Sequence, residues 1–409
     1  MSQAPRYLYP LLSLAERDRR WTAVRELLER ENLDCLITPN NTGHSAHFQA
    51  ESRYLTHCGG GGDADIACVF PLRGEVAAIA TSAEQWRDVQ DWVTDLREAR
   101  RAYGQATVEK LCEVPLPHKR VGIVGLEGYV RAPEGVVLYG FMNALIEAFP
   151  DVEWVDFTNQ LQRVRQVKSP EEVAFLAEST KLVDRAFAKV IEVARPGVKD
   201  YDAWGAAIGE ICKGGSEIPV HNHWGSGPRP TTLTRPTHGE LQRGHLIVNE
   251  IEAAYGGYHA QGVQPIAIED CDPVYKDLYA RHAEYWQRGF EALEVGRSVR
   301  ELDDLCQEIA SEMVPPGGVY ENVRGRLAMH GRGLGSDGPL VTGTGRGDAT
   351  LAQRFAEGWA FVFKPSLSVE ARGRRYSANW GDTVVMEKDR ARRLGSRQPG
   401  LAIAGGRAP

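Results

Sequence analysis

The 409-residue sequence lacks several features that would assign it early to a class of protein. It contains no apolar run near the roughly 18 residues that a transmembrane helix needs. Its N-terminus has no basic start followed by an apolar segment and a cleavage site, so we expect a cytoplasmic protein. It also has no long run of like charge, and its net charge of −7 comes from 48 basic and 55 acidic residues. These absences predict neither a nucleic-acid partner nor a membrane partner.

Cysteine is scarce, and its spacing is irregular. The seven cysteines form no CxxC pair and no even framework, which argues against a zinc site and against a disulfide scaffold. We expect reduced thiols in the core. The remaining composition, 42% hydrophobic and 25% charged, is that of an ordinary globular protein. A chain of this length predicts two or three domains.

The first part of the sequence alternates helical patterns with short apolar runs. Residues 13–32 predict a helix, and the apolar runs at 64–72 and 75–81 predict a hairpin. Residues 82–101 begin with a serine cap and predict a further helix. We therefore predict an α/β domain over residues 1–160.

The pattern changes after residue 160. Residues 166–194 form one long helical pattern, with start signals at Ser169 and Pro170. Residues 216–268 are strand-like and rich in glycine, two helical segments follow, and the end of the chain is again strand-like. We predict a second domain over residues 161–409.

Six segments of this second part occur in the order of motifs known from one family. They are RQVKSPEEVAFLAESTKLVDRAF, VARPGVKDYD, RGHLIVNEIEAAYGGYHAQ, MHGRGLGSDGP, GWAFVFKPSL and WGDTVVMEK. Together they resemble the catalytic domain of the creatinase/prolidase/methionine aminopeptidase family. The resemblance implies an α+β pita-bread domain of two pseudo-symmetric halves with curved antiparallel sheets, preceded by a smaller creatinase-type α/β domain. It also implies a homodimer.

Metal-dependent members of this family hold two divalent ions with two Asp, one His and two Glu. The motifs place these positions, in order, on Glu250, Gln261, His330, Lys364 and Gly381. Only the histidine is retained, and the net charge of the set is near zero instead of about four negative charges. Two unit charges 4 Å apart repel by about 4 kcal/mol at an effective dielectric of about 20, and Lys364 repels a divalent ion twice as strongly. We predict neither a dinuclear metal site nor another cofactor; the alternative is one metal on Glu250 and His330.

The same positions suggest catalytic and binding roles. His330, in a glycine-rich strand, is a candidate general acid or base, and Glu250 is a candidate for activating water. The alternative for His330 is a packed structural residue. Lys364 and Arg332 are expected to bind an acidic group of the substrate, or in the case of Lys364 a developing oxyanion. The alternative for Lys364 is a plain buried ion pair. Gln261 is expected to line the same substrate site.

A second histidine is harder to place. Relatives carry a catalytic histidine at a position that falls near Leu233 or Thr234 here. His238 lies too close to the hairpin unless an insertion shifts it, whereas His221 and His223 share one face of the preceding strand. We select His223 as the catalytic candidate.

Four further features lie near these motifs. Glu252, two residues after Glu250, is predicted to form an acid–base pair with it or to lie in a salt bridge. Asp337 replaces a substrate-binding histidine of peptidases, so it suits a cationic group; the alternative is a turn residue. Tyr258 matches a Gly-Tyr motif that is often structural, and we include it among the substrate-binding candidates. Residues 342–348 are either a lid or a surface connector.

The best functional interpretation is a metal-independent hydrolase of a C–N bond, in an amide or amidine of a small polar or zwitterionic molecule. Creatinase and ectoine hydrolase are family precedents for losing the metal ligands while keeping this chemistry. The alternatives are a lyase on a small metabolite, an Xaa-Pro-type metallopeptidase and an inactive binding homologue.

Overall fold

The chain folds into two compact units. The computed structural model describes residues 9–40, 50–60, 65–127, 132, 134–218, 221–230, 235–313, 319–342 and 347–405. Met1–Glu172 and Leu334–Asp337 form the N-terminal unit, and Val173–Gly333 and Gly338–Pro409 form the C-terminal unit. The boundary predicted after residue 160 falls inside a helix, Thr158–Gln166. The described residues do not include positions 233 and 234, nor residues 343–346 of the segment predicted to be either a lid or a surface connector.

The N-terminal unit is a sheet with helices, as the alternating sequence pattern predicts. Its strands are β1 (Cys35–Thr38), β2 (Ile66–Pro71), β3 (Ala77–Ala80), β4 (Asp95–Glu98), β5 (Arg120–Ile123) and β6 (Glu153–Asp156). Its helices are α1 (Leu14–Arg30), α2 (Ala50–Thr56), α3 (Tyr103–Leu111), α4 (Tyr139–Ala148) and α5 (Thr158–Gln166). The strand order is β4-β3-β2-β1-β5-β6. The predicted hairpin is confirmed, because β2 and β3 pair antiparallel.

The helix predicted over residues 82–101 is wrong. Only a short 3-10 turn forms, at Glu84–Trp86, and the chain then enters β4, which pairs in parallel with β3. The Gln90 side chain accepts hydrogen bonds from the backbone of Trp92 and Val93, each at 2.8 Å. Trp92 is 1% exposed. A local side-chain bond and a buried indole therefore outweigh the helical spacing of the segment.

In the described part of the C-terminal unit, helices pack against strands in two cores. Its helices are α6 (Pro170–Val193), α7 (Asp200–Lys213), α8 (Pro273–Glu291), α9 (Val299–Met313) and α10 (Asp348–Leu351). Its strands are β7 (His223–Gly227), β8 (Leu246–Tyr255), β9 (Tyr258–Gly262), β10 (Ile266–Ile268), β11 (Glu321–Arg326), β12 (Met329–Gly331), β13 (Leu340–Val341), β14 (Ala360–Phe363), β15 (Ser366–Ala371), β16 (Arg374–Asn379), β17 (Asp382–Met386), β18 (Ala391–Arg393) and β19 (Ala402–Ala404).

These strands form three sheets. The first has the order β19-β10-β8-β7, with β9 also paired to β8; the others are β11-β15-β16 and β13-β12-β14-β17-β18. One core lies between α6, α7 and the first sheet, and the other lies between α8, α9 and the strands from β11 onward. Two helices followed by strands thus occur twice in the chain, which agrees with the two halves expected for this domain.

The predicted start of α6 is confirmed at the level of its cap. Ser169 Oγ accepts from the backbone N–H of Glu172 at 3.2 Å, and Glu172 Oε2 accepts from the backbone N–H of Ser169 at 2.9 Å. This reciprocal capping box satisfies two N–H groups that a helix start would leave unpaired. Among the described residues, no helix combines the length and the apolar character that crossing a bilayer requires.

Candidate active site

Three adjacent strands of the C-terminal unit carry most of the predicted acidic and histidine residues. β7 pairs antiparallel with β8, with His223 opposite Glu250. β9 returns along β8 after a tight turn, with Gln261 opposite Glu252. Because alternate residues of a strand point to the same face, this register brings polar side chains of three strands together on one face.

The remaining predicted residues come from the last sheet of the unit. His330 lies in β12, opposite Val362 of β14. Lys364 directly follows β14, and its backbone N–H donates to the carbonyl of Ala328 at 3.0 Å. Gly381 stands immediately before β17 and exchanges backbone hydrogen bonds with Val263. The pairing of these strands therefore brings residues that are far apart in sequence to one site.

The centre of the site is an ion pair between Lys364 and Glu250. Lys364 Nζ lies 2.6 Å from Glu250 Oε1 and 3.5 Å from Gln261 Oε1. Gln261 Nε2 donates to Glu250 Oε2 at 3.2 Å. Burial alone would raise the pKa of Glu250, but the charge of Lys364 and the hydrogen bonds of His221 and Lys364 outweigh it and hold this pKa well below its usual range. Glu250 is therefore an ionised carboxylate.

His221, rather than the predicted His223, bonds this carboxylate. His221 Nε2 lies 3.2 Å from Glu250 Oε2, and the ring of His223 lies against His221 with centroids 4.3 Å apart. Burial lowers the pKa of His221, and the hydrogen bond to Glu250 partly offsets this effect. The sequence predicts both histidines on one strand face, but β7 begins at His223 and His221 lies directly before it. The hydrogen bond to Glu250 distinguishes His221 from its neighbour.

A second ion pair lies deeper in the unit, around Glu252. Arg332 Nη1 donates to Glu252 Oε2 at 2.6 Å, and His259 Nδ1 lies 3.0 Å from Oε1. Arg332 Nη2 also lies 3.4 Å from His330 Nε2. Glu252 is fully buried, and Arg332 is 1% exposed. His259 was not singled out in the sequence, and the salt bridge considered for Glu252 is the arrangement observed.

Several predicted substrate contacts are buried within the protein. Arg332, Glu252, Gln261 and Tyr258 are each at most 1% exposed. The ring of Tyr258 packs edge-on against Phe175 with centroids 5.6 Å apart. Their contact with substrate stays a prediction, and the geometry favours positioning roles for these side chains instead.

Asp337 groups with the N-terminal unit, where it has protein cations as partners. Its carboxylate accepts a hydrogen bond from Arg165 Nη2, and Lys168 Nζ lies 3.8 Å away. Arg165 also pairs with Glu51 at 3.2 Å, and all four side chains are at most 3% exposed. The cation expected from the substrate is therefore already supplied by the protein, and Asp337 is a structural residue in this geometry.

Gly381, at the second glutamate position of the family, leaves room for Lys364. A Cβ atom at residue 381 would lie 2.5 Å from the Cβ of Lys364 and 3.1 Å from the carbonyl oxygen of Phe363. Arg397 Nη2 bonds the carbonyl of Gly381 at 2.9 Å, which holds this backbone in place. The backbone and the Cβ atom of residue 364 therefore leave no room for a side chain at residue 381.

We expect Gly381→Ala to destabilise the protein by about 1–3 kcal/mol, because the added methyl group must displace Lys364 or the strand. Urea denaturation compared with the unchanged protein measures this effect. Gly209→Ala in α7 is the matched control: a Cβ there meets no atom within 4 Å, and alanine should stabilise the helix by up to about 1 kcal/mol. Equal changes in the free energy of unfolding of the two variants would contradict the steric clash at residue 381.

Family models match both units of the chain. The model for the Creatinase/Prolidase N-terminal domain matches residues 20–167, and that for Metallopeptidase family M24 matches residues 174–388, more than half of the chain. The chain belongs to metallopeptidase family M24. The predicted resemblance and the pita-bread fold with a creatinase-type N-terminal domain are thereby confirmed.

Curated M24 relatives align over part of their length. The probable dipeptidase PepE of Mycobacterium tuberculosis is 28% identical over 243 residues, which cover 57% of this chain and 60% of PepE, less than two thirds of its length. The Xaa-Pro dipeptidase of Pyrococcus furiosus is 22% identical over 64% of this chain and 72% of its own. Creatinase of a Bacillus species is 23% identical over 41% of each chain.

Solved structures agree over nearly the whole chain. The Xaa-Pro dipeptidase of Bacillus anthracis superimposes with a TM-score of 0.74 at 17% identity and covers 95% of this chain and 99% of its own. The X-Pro aminopeptidase of Thermotoga maritima gives 0.73 at 18% identity, covering 94% and 99%. At these identities the likeness shows the fold alone.

The donors of this M24 chain do not fit the metal ions that the family name implies. Glu250 is the only carboxylate and His330 the only imidazole at the five family positions, and an ammonium group already bonds Glu250 at 2.6 Å. Across the described part of the chain, no three His, Cys, Asp or Glu side chains converge to hold a metal ion. A divalent cation would have to displace Lys364 and accept a site with too few anionic oxygens.

Proposed function

We propose that this protein hydrolyses a C–N bond in a small polar or zwitterionic molecule without a metal ion. The observation that carries the proposal is the 2.6 Å contact between Lys364 Nζ and Glu250 Oε1. It puts a protein cation at positions where metal-dependent members of the family have metal ligands. The family and its dipeptidase and creatinase relatives support hydrolysis of a C–N bond as the reaction class.

The charge of the site supports a substrate that is neutral overall. Glu250 is paired with Lys364, and Glu252 with Arg332, so the fixed charges of these four groups cancel. A strongly anionic or cationic ligand would lose its hydration without meeting an unbalanced opposite charge. A neutral amide would not carry this cost, and a zwitterion, such as an amidinium that also carries a carboxylate, has opposite charges that cancel as those of the site do.

A second candidate is an Xaa-Pro-type metallopeptidase. The similarity of the chain to Xaa-Pro dipeptidases favours a peptide substrate more than another small molecule. The side chains at the five family positions do not suit the metal ions of that reaction, but they do not exclude a dipeptide as substrate. The two candidates therefore differ first in metal dependence and then in substrate.

Metal content and metal dependence separate these candidates. We expect the protein purified without added metal or chelator to contain less than about one tenth of an equivalent of transition metal per chain, because the donor set lacks anionic oxygens. Elemental mass spectrometry measures this content. The same sample is then assayed with Xaa-Pro dipeptides, other dipeptides, creatine-like amidines and cyclic amides, with and without EDTA or Mn²⁺.

Turnover that neither EDTA nor Mn²⁺ changes would support the metal-independent hydrolase and would identify its substrate class. About two equivalents of metal per chain, with activity lost in EDTA, would overturn the proposal and establish the metallopeptidase. Binding of a compound without turnover, measured as a rise in melting temperature, would instead favour an inactive homologue.

A further inference from the structure

Both oxygens of the Glu250 carboxylate are held by neighbouring side chains. Lys364 lies on Oε1, and His221 and Gln261 each lie 3.2 Å from Oε2. A general base works best when it can exchange a proton near the working pH, whereas an adjacent ammonium keeps a carboxylate ionised. Glu250 is therefore poorly suited to take a proton from water, but it is well placed to orient another group.

His330 is also held in a way that disfavours proton transfer. Its Nε2 faces Arg332 Nη2 at 3.4 Å, and a guanidinium can only donate, so Nε2 is the acceptor. Adding a proton to this nitrogen would replace the contact with repulsion between two cations. Because His330 is only 4% exposed, water would screen that repulsion weakly.

His221 combines a carboxylate partner with access to solvent. Its side chain is 26% exposed, compared with 12% for Glu250. An ionised carboxylate only accepts hydrogen bonds, so Nε2 of His221 carries the hydrogen and Nδ1 keeps its lone pair. An imidazole oriented by a carboxylate in this way can take a proton on its second nitrogen.

We infer that His221 is the general base and acid of this site, that Glu250 orients it, and that Lys364 is a positioning residue that holds Glu250. The inference rests on the proposed hydrolysis of a C–N bond. Nδ1 of His221 takes one proton from water while the water oxygen bonds to the carbon. As the C–N bond breaks, that proton passes to the leaving nitrogen, so water is divided between the two products.

Acylation by diethyl pyrocarbonate tests this assignment without a substrate, because the unprotonated nitrogen of imidazole attacks the carbonyl carbon of the reagent. The full chain is treated at one pH, and peptide mass spectrometry gives the rate at each histidine. We expect faster acylation of His221 than of His223, which is also partly exposed. The double variant Glu250→Gln/Lys364→Met removes both charges of the pair. It should lower the acylation rate of His221 by roughly threefold to tenfold.

An unchanged rate at His221 in the double variant would overturn the role of Glu250. Fastest acylation of His223 or His330 would overturn the assignment of His221. Should the double variant fail to fold, ¹⁵N NMR of the unchanged protein decides: hydrogen on Nε2 of His221 supports the inference, and hydrogen on Nδ1 contradicts it. Neither measurement uses turnover, so a failure here is distinguishable from a lack of C–N hydrolysis.

With a substrate from the assay panel, His221→Gln should lower kcat by about 10²- to 10⁴-fold with little change in KM, because general acid–base catalysis contributes that much. His223→Gln is the matched control on the neighbouring ring and should lower kcat by less than about tenfold. Equal losses in the two variants would contradict a specific role for His221.

Discussion

Glu252→Gln is expected to lower the free energy of unfolding by about 3–5 kcal/mol, the usual cost of leaving one partner of a buried ion pair uncompensated. Glu252 is fully buried and accepts from Arg332 at 2.6 Å while also contacting His259 at 3.0 Å. The amide removes the negative charge but keeps the shape, so the loss reports the stranded guanidinium. Urea denaturation followed by tryptophan fluorescence measures the change.

Two further variants make this result interpretable. Glu240→Gln breaks an exposed pair with Lys199, whose atoms lie 2.9 Å apart, and should have a far smaller effect. Glu252→Leu/Arg332→Met removes both charges and should recover most of the loss. If Glu252→Gln were as mild as Glu240→Gln, Arg332 would have to find another anionic partner.

Lys364→Met is expected to destabilise the protein by about 3 kcal/mol near neutral pH, because it leaves the ionised Glu250 without its cation. In the unchanged protein the pKa of Glu250 lies well below its ordinary value of 4.5. The stability linked to this carboxylate is therefore fully present above pH 4.5 and is lost as the pH falls below that value.

Without Lys364, burial instead raises the pKa of Glu250, so the variant regains stability as Glu250 takes up a proton. The difference in the free energy of unfolding between the unchanged protein and Lys364→Met should thus be largest near pH 7 and should become smaller below about pH 4.5. Urea denaturation at several pH values measures this trend. Lys181→Met, which breaks an exposed pair with Glu178, is the control and should show a small difference at every pH. A difference in the free energy of unfolding that increased at acid pH would contradict the ion pair between Lys364 and Glu250.

Local features of the fold could be predicted where the physical cause is itself local. The cap at Ser169 acts within one helical turn, and the glycines at 256 and 257 allow the tight turn that sets Tyr255 opposite Tyr258. From that register, the positions of His259 and Gln261 beside β8 could have been derived. The segment before β4 could not, because its conformation depends on pairing with β3 and on the burial of Trp92.

The sequence by itself determined which chemical groups are available to the site. It showed that the family's metal-ligand positions carry a lysine, a glutamine and a glycine, and this follows from order along the chain and the identity of each residue. Charge is a property of the residue type, so the loss of anionic donors needed no coordinates.

Only the tertiary structure decided which groups are partners. Four histidines and two glutamates lie on strands that meet at one place or directly before them, and the sequence alone could not assign His221 to Glu250 or Arg332 to Glu252. It also could not show that Asp337 pairs with Arg165 in the N-terminal unit. Hydrogen bonds and ion pairs depend on differences of about an ångström, and such differences are set by strand register and packing across distant parts of the chain.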